Sequence, residues 1–123
     1  MQAKASRWIF AAIAYFLIAV CLGVFMGASH DHSLMSVHAH LNLLGWVSLT
    51  LIGVIYHLFP RAGESRLATV QFWLHNVALP PMMLALAFLL KGSTGAEPVI
   101  GITSIVILVS VFLFAGNVLV KRA

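Results

Sequence analysis

Four apolar runs, each close to twenty residues long, leave this chain very few ways to fold. They cover about 8–27, 37–59, 67–90 and 99–120. A hydrocarbon core about 30 Å thick asks for about 20 consecutive apolar residues from one helix. In lipid, only helices and closed barrels pair every backbone polar group, and unbroken runs of this length are helices. The connections are short and polar: GASHDHSLMS, PRAGESR and KGSTGAEP. The fold class expected is therefore all-α, a polytopic membrane protein whose residues 1–123 form a single four-helix domain. Composition agrees, since 62% of residues are hydrophobic and 8% charged, against roughly half and a quarter in soluble domains.

The start, MQAKASR, has the basic character of a signal peptide. The run behind it is too long for the apolar part of one and shows no small-x-small cleavage pattern before Ser29, so it reads as a spanning helix. Pro60 cannot continue a helix and should stop the second run. Pro80 and Pro81 predict a kink near the middle of the third. Trp8 fits an interfacial anchor, whereas Trp46 and Trp73 lie too deep for that role. Cys21, alone in an apolar run, can form no intrachain disulfide.

Of the seven Lys and Arg residues, Lys4, Arg7, Arg61, Arg66, Lys121 and Arg122 fall in the tails and the second connection. Only Lys91 falls in the other two connections. The positive-inside rule then puts both termini in the cytoplasm and the first connection outside. Basic residues scattered over segment ends form no nucleic-acid patch. The acids are isolated, which removes paired-carboxylate chemistry, and there is no phosphate loop, nucleophile elbow or CxxC. No charged residue lies within a span, which argues against a transporter.

The chemistry-bearing residues are six histidines. His38 and His40 open the second run in VHAHLNLLGW. A helix turns about 100° per residue, so residues two apart point about 200° away from each other. The two rings cannot grip one metal, and must serve two environments. Asn42 lies one turn past His38 and Gly45 two turns past it on the same face, where a missing side chain leaves room for something flat. His75 is an intramembrane ionisable residue and so a functional candidate, with a helix–helix hydrogen bond the equal alternative. His57, just before Pro60, reads as interfacial. His30 and His32 flank Asp31 in the outer loop near Met26 and Met35, and imidazole with thioether suits copper.

The stretch HAHLNLLGWVSLTLIGVIYHLFPR resembles helix ten of the catalytic subunit of the heme-copper oxidases and nitric oxide reductases, nearest the C-type oxidases. It matches without a gap at His38-x-His40, Leu44-Gly45-Trp46 and the closing Tyr56, Leu58, Pro60 and Arg61. VQFWLHNVALPPMMLALAFLLKG is similar to the helix that follows, which begins HFWL, and LFAGNVL, with Phe114 and Asn117, to the last. The resemblance covers roughly residues 37–120. It implies that His38 and His40 are axial ligands of heme b iron, one histidine on each of two hemes. The family subunit has three arcs of four helices, so a chain one arc long implies a homotrimer in a bacterial cytoplasmic membrane. His40 of one copy would then face His38 of the next across a porphyrin.

The resemblance also has gaps. The family's copper center needs an adjacent His-His pair, which this chain lacks. His75 stands where the family carries a small or hydroxyl residue. The expectation is a membrane b-type heme protein for electron transfer or for binding a diatomic gas such as nitric oxide, with a redox partner, rather than a dioxygen reductase. A copper-handling protein using His30 and His32, and a structural bundle whose histidines bridge helices, are the alternatives.

Overall fold

The structure is a computed structural model that describes residues 3–122. Helices α1 (Ala3–Ser29), α2 (Met35–Leu58), α3 (Arg66–Leu90) and α4 (Glu97–Val120) account for the four apolar runs, and no strand occurs among the described residues. Each of the four is long and apolar enough to cross a membrane. Phe59 leaves helical geometry at φ −120° and ψ 73°, and Pro60 then starts a single helical turn, Pro60–Gly63. Proline suits that first position because its missing N–H has no helical partner to lose. Ser65 caps α3 by accepting a hydrogen bond from Ala68 N–H at 3.2 Å, satisfying one of the orphan donors of a helix start. α3 continues unbroken through Pro80 and Pro81.

Packing follows from small residues placed where helices cross. On α1 the buried residues are Ala5, Trp8, Ala12, Ala19 and Met26, with Tyr15 and Leu22 half-buried between them. Those positions alternate in steps of three and four, the stripe of a helix packed at a shallow crossing angle. Lipid is as apolar as leucine, so membrane helices associate through close packing and interhelical hydrogen bonds. Alanine on α1 and glycine on α2 allow that approach. A Cβ on Gly45 would lie 2.6 Å from Tyr15 Cβ, and one on Gly53 3.0 Å from Trp8 Cβ. α1 and α2 thus form one close hairpin, and α3 and α4 form a second.

The hairpins are joined tightly at the end that carries both termini. Tyr56 Oη on α2 donates to Gln71 Oε1 on α3 at 2.6 Å. Asn117 Nδ2 on α4 lies 3.2 Å from Tyr56 Oη, and 3.0 Å from both Ala62 O and Ser65 Oγ. Lys4 Nζ donates to Glu64 O at 2.9 Å, and Arg7 reaches Thr69 Oγ1 at 3.0 Å with its guanidinium 4.7 Å above the Phe72 ring. At the other end the link is exposed: Lys91 pairs with Asp31 at 3.1 Å. α2 and α4 make little direct contact, and clefts remain between them.

One expectation is corrected. Trp8 is fully buried between Tyr56 and Phe72, with ring centroids 5.8 and 5.0 Å away, and is a core residue rather than an interfacial anchor. Its early position suggested an interface, but α1 begins at Ala3 and carries Trp8 into the bundle.

Candidate functional site

Immediately after the paired histidines α2 changes character. Leu41–Val47 is a π-helical segment, LNLLGWV, inserted between two α-helical stretches. Such segments are rare and concentrate at functional sites. Two of its carbonyls take side-chain donors. Leu43 O accepts from Ser48 Oγ at 2.6 Å, and Leu44 O accepts from His75 Nε2 at 2.8 Å.

His38 and His40 face opposite neighbours. The His38 ring packs on α1 over Gly23, where a Cβ would lie 2.9 Å from His38 Cε1. Its Nδ1 is 2.9 Å from Ala19 O. His40 is exposed on the other side of α2, where it lines a cleft of about 350 Å³ with Leu44, Met82, Met83, Ile107 and Val111. Its Nδ1 is 2.7 Å from Ser36 O.

These contacts fix the tautomers. A carbonyl only accepts, so the nitrogen facing it carries the proton, and the other nitrogen of a neutral ring keeps a lone pair. His38 and His40 both spend Nδ1–H on a backbone carbonyl and keep the distal Nε2 as the electron-pair donor. Metal-ligating histidines show this arrangement, the second nitrogen orienting the ring and raising the basicity of the first. Asn42 Nδ2 donates to His38 O at 2.9 Å and stands 3.5 Å from His38 Nε2.

His75 has the opposite tautomer. It is 1% exposed, and its distal Nε2–H is committed to Leu44 O. What remains is Nδ1, beside Cβ and without a partner among the described residues. His75 therefore ties α3 to the π segment, and its open nitrogen is the sterically hindered one. The space expected beside Gly45 is filled by Tyr15, whose Cβ and Cγ would lie 2.6 and 2.8 Å from an added Cβ. Gly45 serves the α1–α2 contact, because the helices approach too closely there to leave a slot.

In the loop between α1 and α2 His30 and His32 are exposed, and His30 closes α1 in the left-handed region at φ 56°. Asp31 between them is committed: its Oδ1 accepts Ser33 N–H at 3.0 Å and its Oδ2 pairs with Lys91. Ser33 N–H, then the Ser33 side chain and Lys91, hold the Asp31 carboxyl down to about 2. No three His, Cys, Asp or Glu side chains converge as a metal-binding group among the described residues. His57 is exposed near the end of α2.

Sequence reasoning missed the π segment, the Gly23 cradle and the Met82 and Met83 wall. A single sequence carries no signal for the first. The other two depend on which faces of α1 and α3 turn toward α2. No protein family, characterised protein or solved structure compared with the chain matches it.

Proposed function

We propose that this chain is a membrane heme b protein in which α2 lends an axial imidazole to each of two hemes, through His38 and His40. The observation that carries the reading is the matched pair of tautomers. Both rings anchor Nδ1 on a backbone carbonyl, at 2.9 and 2.7 Å, and both leave Nε2 as a lone pair on opposite sides of one helix. The donor set fits the group. His40 lines an apolar cleft walled by Met82, Met83, Leu86 and Ile100, surroundings suited to a macrocycle. His38 is the ligand held more rigidly, since Gly23 and Ala19 fix its ring.

A chain offering one ligand on each side of α2 completes a bis-histidine site only with another copy. A ring of three copies is the assembly that the resemblance to heme-copper oxidase subunits implies. Iron with two imidazoles supplies one-electron transfer, and loss of one imidazole opens a position for a diatomic gas. What this chain itself does is hold, orient and shield. It anchors the two imidazoles on backbone carbonyls and lines the cleft with aliphatic side chains. The distribution of Lys and Arg supports both termini on the cytoplasmic side, and the resemblance alone suggests a bacterial inner membrane.

An optical spectrum of detergent-purified protein expressed with ample heme tests this. A Soret band and sharp reduced α and β bands are expected, with heme lost in both His38→Ala and His40→Ala. A colourless protein refutes the reading, and full occupancy with an unchanged spectrum in either variant refutes that ligand.

A further inference from the structure

The end of the bundle that carries both termini also concentrates charge. Six of the seven Lys and Arg residues lie there, against one of the three acids, Glu64. Those bases divide into two groups. On the α1 side Lys4 Nζ is spent on Glu64 O at 2.9 Å, and Arg7 on Thr69 Oγ1 at 3.0 Å. The others gather where α3 starts and α4 ends. Asn117 Nδ2 sits 3.0 Å from both Ala62 O and Ser65 Oγ, which brings Lys121 and Arg122, one turn further along the chain, beside Arg61 and Arg66. Arg66 and Arg122 are exposed and form no ion pair among the described residues.

Below Arg66 the same two helices leave a groove. Arg66, Val70, Trp73 and Val77 are exposed in steps of four, three and four, which makes them one stripe down α3. Along it Trp73, Val77 and Pro81 of α3, with Thr103 and Val106 of α4, line about 430 Å³. Thr103 Oγ1 donates to Val99 O of its own helix at 2.6 Å, so its proton is spent. An apolar cavity of about 150 Å³ holds benzene, and 430 Å³ has room for a long run of methylenes. At 1.5 Å per residue Trp73 lies about 10 Å and Val77 about 16 Å from Arg66, the depth of acyl chains in a hydrocarbon leaflet about 15 Å thick.

We propose that the α3–α4 face seats one anionic phospholipid, its phosphate on Arg66 and Arg122 with Lys121 beside them, and an acyl chain in the groove. Basic residues at a membrane surface attract anionic headgroups, and the guanidinium fork matches phosphate. The groove holds the chain end of the same molecule, so headgroup and tail are bound together. Charge also disfavours a second copy as the occupant, since one seated here in the same orientation brings its own basic end alongside. The proposal needs no heme and involves neither His38 nor His40.

The test uses the full chain, as its Trp46→Phe variant, in phosphatidylcholine nanodiscs. Trp8 is fully buried, so Trp73, 57% exposed, is the tryptophan that a quencher in the groove reaches. A minor share of the lipid carries brominated acyl chains, under either a phosphatidylglycerol or a phosphatidylcholine headgroup. Brominated phosphatidylglycerol should quench Trp73 as if enriched about tenfold over its share, the effect of one to two nearby cations. High salt should erase that preference. Arg66→Gln with Arg122→Gln should bring the two headgroups level, whereas Arg66→Lys with Arg122→Lys should keep most of the preference. Lys4→Gln, at the same end but committed to Glu64 O, should leave it unchanged. Val77→Phe, which fills the groove from an exposed position, should weaken quenching by both lipids, with helix content unchanged by circular dichroism. Equal quenching by the two headgroups overturns the proposal. So does a preference that survives the double glutamine variant, or one that falls as far in Lys4→Gln, the mark of diffuse charge. Quenching indifferent to Val77→Phe overturns the seat, and so does a Trp73 that neither lipid quenches, as expected where a second copy fills the groove.

Discussion

Tyr56→Phe isolates the polar link that closes one end of the bundle. Tyr56 is fully buried, and its ring contacts with Trp8 and Phe114, at centroid distances of 5.8 and 5.3 Å, survive the change. What is lost is the 2.6 Å bond to Gln71 Oε1 and the 3.2 Å bond from Asn117. Hydrogen bonds between membrane helices average about 0.6 kcal/mol and reach at most about 1.7, so two of them are worth about 1.2 kcal/mol. The partners are unequally affected. Asn117 keeps Ala62 O and Ser65 Oγ, whereas Gln71 Nε2 already lacks a partner among the described residues and the whole amide is now stranded. A stranded buried amide moves the expected loss toward about 2 kcal/mol. Adding Gln71→Leu removes it, so the double variant should be about 1 kcal/mol more stable than the sum of the single changes. Reversible unfolding by SDS in mixed micelles, followed by the fluorescence of Trp8 against its neighbours, gives the full cycle. A Tyr56→Phe protein as stable as the parent, or strictly additive single changes, would refute this account of the link.

Gly45→Ala should destabilise by about 1–3 kcal/mol through overpacking, because the new methyl meets Tyr15 Cβ at 2.6 Å. Gly101→Ala, with nothing within 4 Å of the new methyl, should not destabilise in the same unfolding assay. Gly23→Ala places a methyl 2.9 Å from His38 Cε1; under the heme reading it should shift the reduced α band and lower occupancy, with secondary structure unchanged by circular dichroism. Asp31, held at about 2 against an ordinary 3.8 chiefly by Ser33 N–H, favours the folded loop above the unfolded pKa, and that contribution is lost as pH falls through the folded value. An NMR titration should find Asp31 protonating below the other acids, and Asp31→Asn should remove the loop's acid response; an ordinary carboxylate midpoint would refute the Ser33 and Lys91 contacts.

How much of this was legible in the sequence depended on the range of the interaction. The four helices were, because bilayer thickness acts on each run separately, and Pro60 acts on its own neighbours. The opposition of His38 and His40 was also legible, since it needs only the angle between residues two apart on one helix. Trp8 was misjudged for the converse reason. Whether a tryptophan at a helix start meets headgroups or a core depends on where that helix begins and on what lies opposite, here Tyr56 and Phe72. The gap at Gly45 was misjudged in the same way: its spacing from His38 was local, but its occupant Tyr15 belongs to another helix.

The π segment changes the distances as well as the faces. Counting 1.5 Å per residue from Leu67, where the third apolar run starts, puts His75 about 12 Å deep, with His38 and His40 near the opposite end of the bundle. Yet His75 bonds to Leu44, four residues past His40. A regular α-helix would offer Leu44 O to an N–H in its own next turn. Within Leu41–Val47 that carbonyl is instead met by an imidazole from α3. The two clefts, one with His40 and one with His75, share Leu44 and Val111 on their walls. Leu44 thus stands between His40 and His75, and its carbonyl fixes the His75 tautomer.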